Sequence, residues 1–147
     1  MLPSEPPVSR SSLRRPKILL VDDDPAVIRG LWRVLRRVCP EFQVNAAAGA
    51  QLAVEALSEL SYDVVVTDLQ MPGGGGRAVL NALVEHYPET ARIVHSSQLE
   101  AGDTSAVRRL AHVVLAKPAS ESEIVAAIER ALSRVASERL SARRAER

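Results

Sequence analysis

Asp22, Asp23 and Asp24 stand in a row directly after the apolar run Lys17-Ile18-Leu19-Leu20-Val21. Three adjacent carboxylates repel one another, so packing alone does not account for them. A second run, Val64-Val65-Val66-Thr67, ends at Asp68, and Met71-Pro72-Gly73 follows at once. Ser96 closes the run Ile93-Val94-His95, and Lys117, followed by Pro118, closes Val113-Val114-Leu115-Ala116. Carboxylate-rich oxygen sites suit a hard cation such as Mg2+. A carboxylate can also attack phosphorus and become an aspartyl-phosphate. The oxygens of that product need a hydroxyl and a cation beside them, and Ser96 and Lys117 are of those types.

This chemistry requires that the five side chains meet. The short β-branched runs read as strands buried on both faces, and each is followed by a stretch with helical apolar spacing. Pro25 suits a first helical turn with Asp24 as N-cap, and Val27, Ile28, Leu31, Leu35 and Val38 continue it. Trp32 is placed near the edge of that face, without a role. Phe42 to Ala46 is a weaker strand, followed by a helix carrying Leu52, Ala53, Ala56, Leu57 and Leu60. Leu80, Leu83, Val84 and Tyr87 mark a third helix that Pro88 stops, and residues 100–111 form a poorly patterned fourth. Ser120 caps the last helix, with Glu123 three positions on. Five βα units in series predict a parallel sheet with helices on both faces. Ligands of such sheets bind at the carboxyl ends of the strands, where Asp22, Asp23, Asp68, Ser96 and Lys117 all lie.

Composition narrows the classes further. With 147 residues, 46% of them hydrophobic and only 3% aromatic, one domain with an aliphatic core is expected. No window approaches a membrane span, and no apolar stretch follows the basic N-terminus as in a signal peptide. The single cysteine, Cys39, excludes an internal disulfide and fits a cytoplasmic setting as a packing residue. Residues 1–16, with four prolines and four serines, read as a disordered lead. The net charge of +1 hides an acidic middle between basic ends, because residues 18–133 hold ten basic and fifteen acidic groups. An acidic body argues against a nucleic-acid-binding core, and the basic end from Arg139 to Arg147 reads as a solvated tail.

The motifs Ile18-Leu19-Leu20-Val21-Asp22-Asp23, Val66-Thr67-Asp68-Leu69-Gln70-Met71-Pro72-Gly73, Ile93-Val94-His95-Ser96 and Leu115-Ala116-Lys117-Pro118 together resemble the receiver domain of bacterial two-component response regulators. The resemblance covers residues 17–134, leaving 135–147 as an extension of the last helix and a basic tail. It implies an α/β, flavodoxin-like three-layer sandwich with strand order 2-1-3-4-5 and five helices, an order for which receivers are a well-known example. It further implies that Asp68 is the phosphoacceptor and that the phosphate comes from a sensor histidine kinase or histidine phosphotransfer protein. Mg2+ would be ligated by Asp23, Asp68 and the backbone carbonyl of Gln70, with Asp22 acting through water. Ser96 would take the place of the switch hydroxyl and Lys117 that of the conserved-type lysine, commonly with a cis bond to Pro118. The resemblance implies no turnover beyond self-phosphorylation from a donor and autodephosphorylation. It implies a downstream protein partner; hydropathy and charge give the expectation that neither membrane nor nucleic acid is contacted directly.

Three positions depart from the commonest receiver. Val114 stands where Tyr or Phe is usual, and Ser97 where Ala or Gly is usual. Gly73 to Gly76 form a looser turn than the family's and lack the Gly-Lys-Ser/Thr ending of a P-loop. Ile128, Leu132, Val135 and Leu140 offer a short homodimer stripe. Two rival readings remain. The same receiver can be the input part of a longer effector-bearing regulator. Alternatively, Asp22-Asp23-Asp24 resembles the start of a haloacid-dehalogenase-like phosphohydrolase, although Pro25 stands where that family has Gly.

Overall fold

The computed structural model describes residues 14–72, 75–97, 99 and 101–146, the side chains of 101–104 excepted. Five strands are β1 (Lys17–Val21), β2 (Gln43–Ala47), β3 (Val64–Thr67), β4 (Ala91–Ser96) and β5 (Val113–Ala116). They alternate with α1 (Pro25–Val38), α2 (Ala50–Glu59), α3 (Gly75–His86), α4 (Ala101–Leu110) and α5 (Glu121–Ala145). All pairings are parallel and the order is β2-β1-β3-β4-β5, as the resemblance implies.

Strand side chains alternate between the two faces. Ile18 and Leu20 of β1 pack with Leu31 and Leu35 of α1 and Ile124 and Ile128 of α5. Leu19 and Val21 pack with Leu57 of α2 and Val79 and Leu83 of α3 on the other face. Central β3 and β4 are buried along their whole length, whereas the edge strand β2 is only partly covered, which explains its weak apolar signature. Asp24 caps α1 by accepting the Ala26 N–H at 2.9 Å, and Ser120 and Glu123 form a reciprocal capping box at the start of α5.

Two parts differ from the sequence reading. Residues 1–13 of the N-terminal lead lie outside the described residues, but Arg14–Pro16, assigned to the same lead, make contacts. The Arg14 guanidinium pairs with Asp63 at 3.1 Å, and Arg15 donates to the carbonyls of Pro40, Glu41 and Phe42. These forked donors find fixed acceptors that composition does not reveal. The stripe offered for a homodimer is also largely spent inside the molecule: Ile128 and Val135 are core residues and Leu132 packs against that core. Only Leu140 of that set is exposed, at 56%.

Past Val135, α5 is held by polar contacts. Glu138 receives His112 Nε2 at 3.2 Å, Arg134 donates to the His112 carbonyl, and Arg139 pairs with Glu89 at 3.2 Å. His112 Nδ1 accepts the Arg92 backbone N–H at 2.9 Å. That bond assigns the ring hydrogen to Nε2, where the Glu138 carboxylate takes it. The buried Arg92 guanidinium donates to the Leu110 carbonyl at 2.6 Å.

Candidate functional site

Backbone hydrogen bonds lock the strand ends side by side before any side chain is considered. The Asp22 N–H reaches the Ala47 carbonyl at 3.3 Å, the Asp68 N–H reaches Val21 at 2.9 Å, and the Lys117 N–H reaches Ser96 at 3.0 Å. Parallel pairing gives all four residues the same edge.

The carboxylates of Asp22, Asp23 and Asp68 each offer an oxygen within 4.8 Å of the others. Asp22 and Asp68 are buried, at 3% and 7% exposure, while Asp23 faces solvent. Lys117 Nζ bridges the two buried acids, 2.8 Å from Asp22 Oδ2 and 3.3 Å from Asp68 Oδ2. The other Asp22 oxygen accepts the Asp24 N–H at 2.9 Å, and Asp68 Oδ1 accepts the Gln70 N–H at 3.2 Å. Burial alone lowers the Lys117 pKa, but the hydrogen bond and charge of Asp22, followed by those of Asp68, outweigh it and hold the ammonium above the ordinary lysine value. Three carboxylates against one ammonium leave a charge of about −2 in a small volume, which a divalent cation matches. The oxygen-only donor set fits Mg2+.

The structure therefore brings Asp22, Asp23, Asp68 and Lys117 into one cluster with the Gln70 backbone beside it. Ser96 lies fully buried at the adjoining strand end, and its Oγ has no hydrogen-bond partner among the described residues. The Lys117–Pro118 peptide is cis. Ser97 is exposed, and Val114 packs with Leu80, Val94 and Val107 as an aliphatic wall.

Two features escaped the sequence. Gly75 and Gly76 open α3 rather than forming a flexible turn, while Gly73 and Gly74 lie outside the described residues. A Cβ on Gly76 would overlap the Asp68 carbonyl oxygen and approach the Leu69 Cα to 2.6 Å. Gly76 is thus a spacing requirement of the backbone that carries Asp68. The second is His95, which is buried with both ring nitrogens unpartnered among the described residues. It faces Leu20, Leu31, Val66, Leu115 and Ile128. Burial first, then the Lys117 charge, lowers its pKa, so the ring is neutral. Helical or strand periodicity cannot distinguish such a histidine from an exposed one.

Comparison with known proteins agrees with this geometry. A family model described as the response regulator receiver domain matches residues 18–129. The transcriptional activator protein PfeR of Pseudomonas aeruginosa is 30% identical over 132 residues, covering 90% of this chain and 43% of that protein. The DNA-binding transcriptional regulator NtrC of Escherichia coli is 32% identical over 126 residues, covering 82% of this chain and 26% of that protein. The chain thus spans under half the length of these relatives. The signal receiver domain of an HD domain-containing protein from Pseudomonas fluorescens Pf-5 superposes with a TM-score of 0.77 at 25% identity, over 84% of this chain and 99% of that one. The phosphohydrolase alternative has no support in these matches.

Proposed function

The chain belongs to the response regulator receiver family, and from that membership we propose that Asp68 accepts a phosphoryl group from a histidine kinase or histidine phosphotransfer protein and so switches the binding of a downstream protein. The observation that carries this reading is the Lys117 ammonium held between buried Asp22 and Asp68 at the carboxyl ends of the strands. In the transfer, an Asp68 carboxylate oxygen forms the new O–P bond while the P–N bond to the donor imidazole breaks. The imidazole nitrogen leaves with the electron pair. Lys117 balances charge on the oxygens, and the buried Ser96 hydroxyl has its hydrogen free to donate to one of them. Asp23, Asp68 and the Gln70 carbonyl would hold Mg2+ directly, with Asp22 acting through water. Bound there, the cation neutralises the incoming phosphoryl charge.

The acidic middle of the chain supports a reading without direct nucleic-acid contact. Among the described residues no helix is long and apolar enough to cross a membrane, and the lone buried Cys39 supports a cytoplasmic setting. A second reading makes this receiver the input part of a longer effector-bearing regulator, favoured by the partial coverage of PfeR and NtrC.

The test is intact mass after incubation with a small phosphodonor, with and without Mg2+. One phosphoryl group that requires both Mg2+ and Asp68, and is absent in Asp68→Asn, is the expected result. Addition that persists in Asp68→Asn would sink the assignment. Independently, Mg2+ should raise the Tm of the wild type and lose that effect in Asp23→Asn, as any ligand of the folded state does.

A further inference from the structure

Arg130 and Arg134 are one turn apart in α5 and so share a face. Arg108 lies in the last turn of α4, and the chain then runs through Ala111 into the open edge of β5. Arg108, Arg130 and Arg134 line one concavity of about 350 Å³ together with Ala111, His112, Val113 and Val114. Among the described residues no carboxylate lines it. Glu138, one turn beyond Arg134, is held by His112. Arg134 is fixed in direction by its bond to the His112 carbonyl. Arg108 and Arg130 have no hydrogen-bond or ion-pair partner among the described residues.

Three cations around one hollow repel one another, and the single charge of Glu138 beside His112 offsets only part of that repulsion, which an incoming anion would relieve. The site logic is that of Asp22, Asp23 and Asp68 with the sign reversed. Guanidinium forks match phosphate oxygens in pairs. A lone carboxylate would leave most of the positive charge unmatched, whereas a di- or trianion would balance it. The one aromatic ring of the lining, His112, is buried and bonded to Arg92 and Glu138, so it offers no platform for a base and the anionic group itself carries recognition. We propose that the hollow between α4, β5 and α5 binds a small phosphate-bearing polyanion through Arg108, Arg130 and Arg134, separately from the acidic strand-end site.

The test is calorimetric titration of the full chain with pyrophosphate at low salt in EDTA, which removes any cation that would let phosphate approach the acidic end. Saturable binding is expected, weakened about tenfold or more by Arg108→Ala or Arg130→Ala. Arg130→Lys, which keeps the charge and loses the fork, should fall between. Arg109→Ala, outside the hollow, and Asp68→Asn should bind as the wild type does. Unchanged Tm values would show that the arginine variants remain folded. Absence of saturation up to about 10 mM would overturn the proposal. So would an equal loss in Arg109→Ala, which would mean diffuse attraction to a basic surface, or a loss in Asp68→Asn, which would place the anion at the acidic end. A hexaglutamate peptide that binds tighter than pyrophosphate with the same arginine dependence would make this a protein-docking face and would also overturn it.

Discussion

The two ends of the sheet each hold a polar cluster built around buried groups, and they are finished differently. At the amino-terminal end of β4 and β5, Arg92, His112, Arg134 and Glu138 close their hydrogen bonds on one another and on the backbone. At the carboxyl end, Lys117 is paired, but the Ser96 hydroxyl and both His95 nitrogens are not. Those three are the buried side-chain polar atoms without partners among the described residues. A buried polar atom left unmade costs roughly 1–3 kcal/mol. The closed cluster therefore reads as architecture, and the open one as a place kept ready for an incoming group.

The largest test of that contrast is at the closed end. His112→Ala leaves the buried Arg92 N–H without its partner and should lower unfolding free energy by about 1–3 kcal/mol, as leaving a buried polar group unpaired does. Urea denaturation reads the loss, and Asp68 labelling at a temperature where the variant stays folded should be unchanged. A loss below about 1 kcal/mol would break the contrast.

The open end should respond in the opposite direction. His95→Leu replaces unpaired nitrogens with apolar surface in an apolar surround and should stabilise by about 1–2 kcal/mol. A destabilised His95→Leu would mean that the ring has a partner which the contrast denies. Protons give a third measure. Burial is the main cause holding both His95 and His112 below the ordinary histidine pKa. Below about pH 6.5 the unfolded chain takes up protons there that the folded chain refuses. Stability should thus be complete above that pH and fall below it, by up to about 1.4 kcal/mol per pH unit for each histidine, until the folded-state values are reached. His95→Leu should remove roughly half of that slope; an unchanged slope would show that His95 already titrates freely. The smallest effect concerns Ser97, the exposed residue directly after Ser96. Ser97→Ala should shorten the lifetime of the phosphorylated form, and an equal or longer lifetime would remove Ser97 from any gating role.

The strand-end cluster was legible because each member terminates a recognisable apolar run, so a list of strand ends is already a list of neighbours. The Arg92–His112–Glu138 set was not, because its members come from separate elements and carry no shared spacing. The dimer stripe failed for a different reason. Ile128 and Val135 repeat at helical spacing whether they face a second chain or their own sheet, and the core took them. Gly76 was legible as a glycine but not as a clearance, since the Asp68 carbonyl that it must avoid is brought there only by folding.

α5 begins four residues after Lys117 and runs unbroken from Glu121 to Ala145. Its polar fastenings at Arg134 and Glu138 lie about 20–26 Å from its start, at 1.5 Å per residue, and its tip extends about 10–16 Å beyond them. Between its ends Ile124, Ile128 and Val135 are packed into the core, so the helix tilts only as one stiff rod. A tilt at the Lys117 end would carry the tip, with Arg143 and Arg144, the other way, as a displaced pair of positive charges on the opposite side of the molecule.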